Sequence, residues 1–185
     1  MDNKKIILCI DPGKGGNETG VVNNKLVEKE LNLHLALSLL KEVQCEKIHP
    51  FLTRSADYFV SLKKRIEMAH DLGASVFISI QMSQSKNVCD RGVRAIFYSQ
   101  ESKSLADCLL KKINKNLPDL HQRGLAEGRL PIFQLKIPAV IIECGCLTNY
   151  HDSEIFNDPL NHVLFAWSIR QGIDEYLKRG KHYAN

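Results

Sequence analysis

Asp11, Lys14, Glu28, Gln81, Arg91 and Glu143 are the side chains in this 185-residue sequence whose types and settings invite chemistry. Asp11 closes the apolar run from Ile6 to Ile10, Gln81 closes Phe77-Ile78-Ser79-Ile80, and Glu143 closes Val140-Ile141-Ile142. Apolar runs stopped in this way read as buried strands that deliver polar groups to one sheet edge, where open α/β proteins build their sites. Lys14 lies among Gly13, Gly15 and Gly16, a loop whose backbone can take positive φ and approach a ligand closely. Such a loop could suggest a phosphate cradle. A Walker A loop, however, needs a glycine five residues before the Gly-Lys pair and a serine or threonine after it, and Leu8 and Gly15 stand there instead. Glu143 fits two roles, a general base or a strand-end acid paired with a nearby cation. Arg91 fits a groove cation or a surface arginine equally well, and Asp11 is expected to cap the glycine loop.

The elements that must hold these groups follow from pattern. Ile6–Ile10, Ile48–Thr53, Val76–Ile80 and Val93–Tyr98 read as strands, with two shorter ones expected near Leu130–Gln134 and Ala139–Glu143. The leucines from Leu31 to Leu40, with Glu, Lys and Ala around them, predict a helix from about Glu28 to Val43, which places Glu28 in its first turn. Further helices are expected at Ser61–Leu72, capped by Ser61 and stopped by Gly73, at Ser102–Asn116, and from Asp158-Pro159 through Tyr176. Residues 118–128 read as a loop. The alternation predicts one α/β domain over residues 1–185: a mostly parallel twisted sheet of about six strands flanked by helices.

Composition agrees with a single core: 44% hydrophobic and 25% charged residues, with no repeat or low-complexity segment. The net charge of +4 is spread along the chain, without the basic block of a nucleic-acid arm. The apolar run Ile6–Ile10 is too short for a secretory signal or a membrane span. The expected location is therefore the cytoplasm or release by another route, or the cell wall if the chain is a trimmed piece of a longer one. The six cysteines sit mostly in apolar or helical surroundings and read as reduced core residues; Cys144 and Cys146 are expected to point away from the face carrying Glu143. None of His34, His49, His70, His121, His151, His162 and His182 falls at a strand end.

A set of short motifs then stands in a telling order: Ile10-Asp11-Pro12-Gly13 with Gly15-Gly16, Glu28 to Leu33, Thr53-Arg54, Ala69-His70, Phe77 to Ile80, Arg91-Gly92-Val93, Ser104 to Ala106, Arg123-Gly124, Pro138-Ala139, and Ile141 to Asn149. From about Ile6 to Tyr176 the chain resembles the zinc-dependent N-acetylmuramoyl-L-alanine amidases of the amidase_3 family. The resemblance implies that family's fold, with zinc held by His, Glu and His and a late glutamate as general base. Carried over, the three ligand positions fall on Lys14, Glu28 and Gln81, and the base on Glu143. An ammonium has no lone pair and a carboxamide is a poor zinc donor, so no metal is expected here, and an ion pair between Lys14 and Glu28 is expected in its place. The implied ligand is peptidoglycan or a muropeptide, or else a protein partner, with Arg91 as a substrate contact. The alternative is a working amidase that recruits a metal through Glu28, Glu143 and water.

Overall fold

The computed structural model describes residues 5–23, 26–43 and 47–180. Strand β1 (Ile6–Pro12) enters a glycine loop that leads to a short hairpin, β2 (Val22–Asn23) with β3 (Leu26–Val27). Helix α1 (Glu28–Glu42), β4 (Ile48–Leu52), α2 (Leu62–Asp71), β5 (Val76–Ser83) and β6 (Val93–Phe97) follow. The chain continues through α3 (Gln100–Asn116), β7 (Gln122–Glu127), a 3-10 turn (Pro131–Gln134), β8 (Ala139–Cys146), α4 (Tyr150–Asn157) and α5 (Pro159–Gly180). Six strands form one sheet in the order β4-β1-β5-β8-β6-β7. The first four are parallel; β6 runs antiparallel to β8, and β7 follows β6 in parallel.

Each face of the sheet has its own core. Leu8, Ile10, Ile78, Ile80, Val140 and Ile142 meet Leu31, Leu35 and Leu39 of α1, Leu105 and Leu109 of α3, and Phe165 and Ile169 of α5. Cys9, Phe77, Ala139 and Ile141 point the other way, against Ala69 of α2 and Ile132 and Leu135 around the 3-10 turn. This is the period-2 alternation of strands buried on both sides. Full burial of a side chain such as Leu35 or Phe77 contributes about 1.5–3 kcal/mol. Helix starts follow local chemistry: Ser61, Ser99 and Asn149 accept hydrogen bonds from the backbone N–H groups of Lys64, Ser102 and Asp152. Gly73, at φ 65°, ends α2.

Two expectations are corrected. Leu130–Gln134 is not a strand: Pro131 starts a 3-10 turn there, and Ile132 plugs the second core. Residues 118–128 are not all loop, because Gln122–Glu127 forms the edge strand β7, held by pairing with β6 rather than by apolar alternation. Helix α4 and the β2–β3 hairpin have no counterpart in the pattern reading. Cys9, Cys108, Cys144 and Cys146 are buried free thiols and Cys89 is exposed, while Cys45 and His182 lie outside the described residues. Burial pushes the Cys9 and Cys144 thiols well above the ordinary range. No described helix is long and apolar enough to cross a membrane.

On the outer helices, Glu175 of α5 accepts hydrogen bonds from Lys112 Nζ (2.9 Å) and Arg179 Nη2 (2.5 Å). The Lys112 contact above all holds its pKa down to about 2, from an ordinary 4.5. A depressed carboxylate stabilises the fold above its unfolded pKa, and the contribution is lost as pH falls through the folded value. Glu175→Gln is therefore expected to cost up to about 1 kcal/mol at pH 7. That difference should vanish by about pH 2 in urea unfolding series; an unchanged gap at low pH would contradict it.

Candidate functional site

The second face of the sheet changes character along its strands. Cys9 is followed on that face by Asp11, Phe77 by Ser79 and then Gln81, and Ile141 by Glu143. Gln81 pairs in register with Glu143, and Glu143 with Arg94 across the antiparallel β8–β6 ladder. One polar row thus crosses β5, β8 and β6, and Glu143 is the one residue of β8 that is not buried.

At the closed end of this face, Asp11 is 3% exposed and accepts from Thr53 Oγ1 (2.6 Å), Ser79 Oγ (2.8 Å) and Arg65 Nη1 (2.5 Å). Asp11 therefore ties three strand ends to α2, where a cap on the glycine loop was expected. The loop itself is fastened through its carbonyls. Arg54, fully buried, donates to Pro12 O (3.0 Å), Gly13 O (2.9 Å) and Lys29 O (2.7 Å). Arg65 donates to Pro12 O (2.7 Å) and Lys14 O (2.8 Å), and Asn32 Nδ2 to Gly13 O (3.1 Å). Lys29 Nζ reaches both Gly16 O (3.0 Å) and Asp57 Oδ2 (2.6 Å), and the Lys29 contact lowers the Asp57 pKa. Arg54 is buried against carbonyls alone, while Arg65 also pairs with Asp11; the planar donors of both supply hydrogen bonds to the carbonyls of the glycine loop.

The fastening sets the backbone of Lys14 at φ 63°, the one non-glycine residue with positive φ among those described. Gly15 and Gly16 beside it admit no side chain, since a Cβ would fall 2.4 Å from Tyr58 O and 2.7 Å from Phe59 N. Glu28, first in α1 and 2% exposed, accepts from Val21 N (2.9 Å) through Oε2 while its own N–H donates to Val21 O (2.9 Å). The expected Lys14–Glu28 ion pair does not form. The carboxylate closes the Val21 turn instead, and Lys14 has no acidic partner among the described residues.

Gln81 donates from Nε2 to Ser79 Oγ (3.1 Å). Glu143 is clamped: Arg94 donates from Nε and Nη2 to its two carboxylate oxygens at 2.9 Å each, and Arg123 Nη1 lies 3.5 Å from Oε2. Of the two roles open to Glu143, the paired acid is the one seen. Each of its oxygens is taken up by one N–H of the guanidinium fork, which fixes the carboxylate in the plane of Arg94. Arg91 is exposed on the loop between β5 and β6, and its side chain makes no polar contact with this cluster or elsewhere among the described residues. Arg94 and Arg123 are the residues that pattern reading missed. Arg94 alternates with the buried Val93 and Ala95 along β6, and its partner depends on a register that only the fold supplies.

Zinc, the ion implied by the resemblance, needs three imidazole, thiolate or carboxylate donors in a catalytic site. Lys14, Glu28 and Gln81 do not fit it: one is a cation, one a neutral amide, and the acid already holds the Val21 N–H. Among the described residues, His, Cys, Asp and Glu nowhere gather in a group of three that could hold a metal ion. His34 and His162 stack on each other instead, with ring centroids 6.4 Å apart.

A doubly flanked, mostly parallel sheet with a polar row at its strand ends defines an open α/β domain whose candidate site lies at that sheet edge. The family profile of Amidase_3, N-acetylmuramoyl-L-alanine amidase, matches residues 8–175, and the chain belongs to that family. It is 29% identical over 92% of its length to the N-acetylmuramoyl-L-alanine amidase LytC of Bacillus subtilis, and spans 35% of that protein. The solved amidase AmiC2 of Nostoc punctiforme superposes with a TM-score of 0.90 at 27% identity, covering 95% of this chain and 99% of AmiC2. The CwlD amidase of Clostridioides difficile, solved in complex with the GerS lipoprotein, superposes with a TM-score of 0.87 at 26% identity over 95% of this chain and 100% of CwlD.

Proposed function

We propose that this domain binds peptidoglycan fragments and has lost the zinc hydrolysis of its family. What supports the reading is the donor set itself: Lys14 and Gln81, to which the resemblance carries the family's histidine positions, offer no imidazole, and Glu143 is held by Arg94. In a zinc amidase the metal lowers the pKa of its bound water to about 7 and a glutamate accepts the proton. Here neither half of that device is free to act. Family membership supports peptidoglycan as the ligand. The CwlD–GerS complex supports a protein partner as the other class of ligand.

Protein purified without chelator, analysed for metals and then incubated with purified peptidoglycan, tests the proposal. The expected result is well under one zinc per chain and no release of stem peptide. Stoichiometric metal with stem peptide released from MurNAc would establish the working-amidase alternative, in which Glu28, Glu143 and water hold the ion.

A further inference from the structure

We propose that the open end of the polar row recognises ligand carboxylates, so that the bound moiety is the acidic peptide of a wall fragment rather than its sugar. This rests on the wall-fragment reading above. The cluster holds more positive charge than its acid neutralises: two guanidiniums converge on the single carboxylate of Glu143. Both remain reachable, with side chains 32% exposed for Arg94 and 25% for Arg123. Neither is saturated. Arg94 uses Nε and Nη2 on Glu143, which leaves Nη1 without an acceptor among the described residues. Arg123 uses Nη1 on Ser83 Oγ and Glu143, which leaves Nε and Nη2. A guanidinium carries five N–H donors in a planar fork, and the acceptor that best matches unused members of such a fork is a carboxylate or phosphate.

A second cation stands on the loop that leaves β1 beside β5, at the same end of the sheet. Lys14 is presented from a loop fixed by Arg54 and Arg65, and has no acidic partner among the described residues. Three strand spacings separate the end of β1 from β6 in the sheet order, about 14 Å. Side chains as long as lysine and arginine narrow that gap to the reach of a short peptide bearing two acids. Gln81 lies between them, with a carboxamide suited to an amide of the peptide backbone. The ligand read from these groups is a peptide with carboxylates two or three residues apart, one acid at Arg94 and Arg123 and the other at Lys14.

The test is calorimetric titration of the whole chain with a MurNAc-tripeptide carrying free carboxylates, with the same compound amidated at its acids, and with inorganic phosphate. Amidation is expected to weaken binding at least tenfold, and phosphate to bind at least tenfold more weakly than the free acid. Arg94→Gln alone would leave Glu143 with only the 3.5 Å contact to Arg123, and adding Glu143→Gln would keep the cluster's one excess positive charge, so the informative variant replaces Arg94, Arg123 and Glu143 together by glutamine. It should lose tenfold for the free acid and bind the amidated probe unchanged, with its melting temperature confirming the fold. Lys14→Met should weaken the free acid similarly. Equal binding of free and amidated probes overturns the carboxylate inference and leaves the wall-fragment reading standing. Phosphate as tight as the peptide also overturns it, as a general oxyanion site. No binding of either muropeptide overturns both.

Discussion

Arg65→Met is expected to lower the unfolding free energy by about 3–5 kcal/mol, the cost of leaving a buried charge without its partner. Arg65 and Asp11 are 5% and 3% exposed and 2.5 Å apart, and the guanidinium also holds the carbonyls of Pro12, Lys14 and Val60. Methionine fills much of the space but donates nothing. Asp11 would keep the hydroxyls of Thr53 and Ser79, which are too weak as donors to replace a cation. Adding Asp11→Asn removes the stranded charge, so the double variant should regain a good part of the loss. Urea unfolding of the single and double variants, analysed as a double-mutant cycle, measures this coupling. A single-variant loss below about 1 kcal/mol would show that water or a rearranged loop supports Asp11 equally well.

This pair also shows how far residue types alone carry the reading. The strands β1, β5 and β8 announce themselves because they are buried on both faces, and each polar interruption in them lies at the site end of the sheet. Glu28 at the head of α1, Ser61 at the head of α2 and Gly73 at its end follow from local propensity and capping. What pattern cannot supply is pairing between distant segments. Arg65 reads as one more basic residue on an exposed helix, yet it is the centre of the loop's support. Arg94 reads as the solvent side of a strand until the antiparallel register sets it opposite Glu143. Lys14 and Glu28 were expected to attract each other as free charges; the backbone N–H of Val21 was the nearer claim on the acid. Edge strand β7 and the Pro131 turn were exchanged in character for the same reason, because half-exposed Gln122–Glu127 draws its strand geometry from β6 while apolar Leu130–Gln134 serves the core without pairing.

Placing imidazoles by Lys14→His with Gln81→His is expected to raise zinc affinity by at least a thousandfold, roughly 4 kcal/mol, without producing hydrolysis. The gain is modest beside the 10 to 16 kcal/mol of complete structural zinc sites, because Glu28 must share its carboxylate with the Val21 N–H. The frame accepts both changes. Histidine tolerates positive φ better than most residues, so the φ of 63° at position 14 does not exclude it. Position 81 already runs against the loop, where its Cγ lies 2.8 Å from the point a Cβ on Gly13 would occupy. Hydrolysis has a second obstacle in the bidentate Arg94, which holds the oxygens that would accept the proton from water. Adding Arg94→Ser to the double variant should therefore produce stem-peptide release that the double variant lacks, at similar zinc affinity. Competition with a chromophoric chelator reads the metal, and labelling of the new L-alanine α-amino groups in digested peptidoglycan reads the chemistry. If the double variant binds zinc no better than the parent chain, the loop and strand ends have moved apart as well as changed their side chains. If it hydrolyses peptidoglycan with Arg94 in place, the guanidinium clamp is not the barrier that its geometry implies.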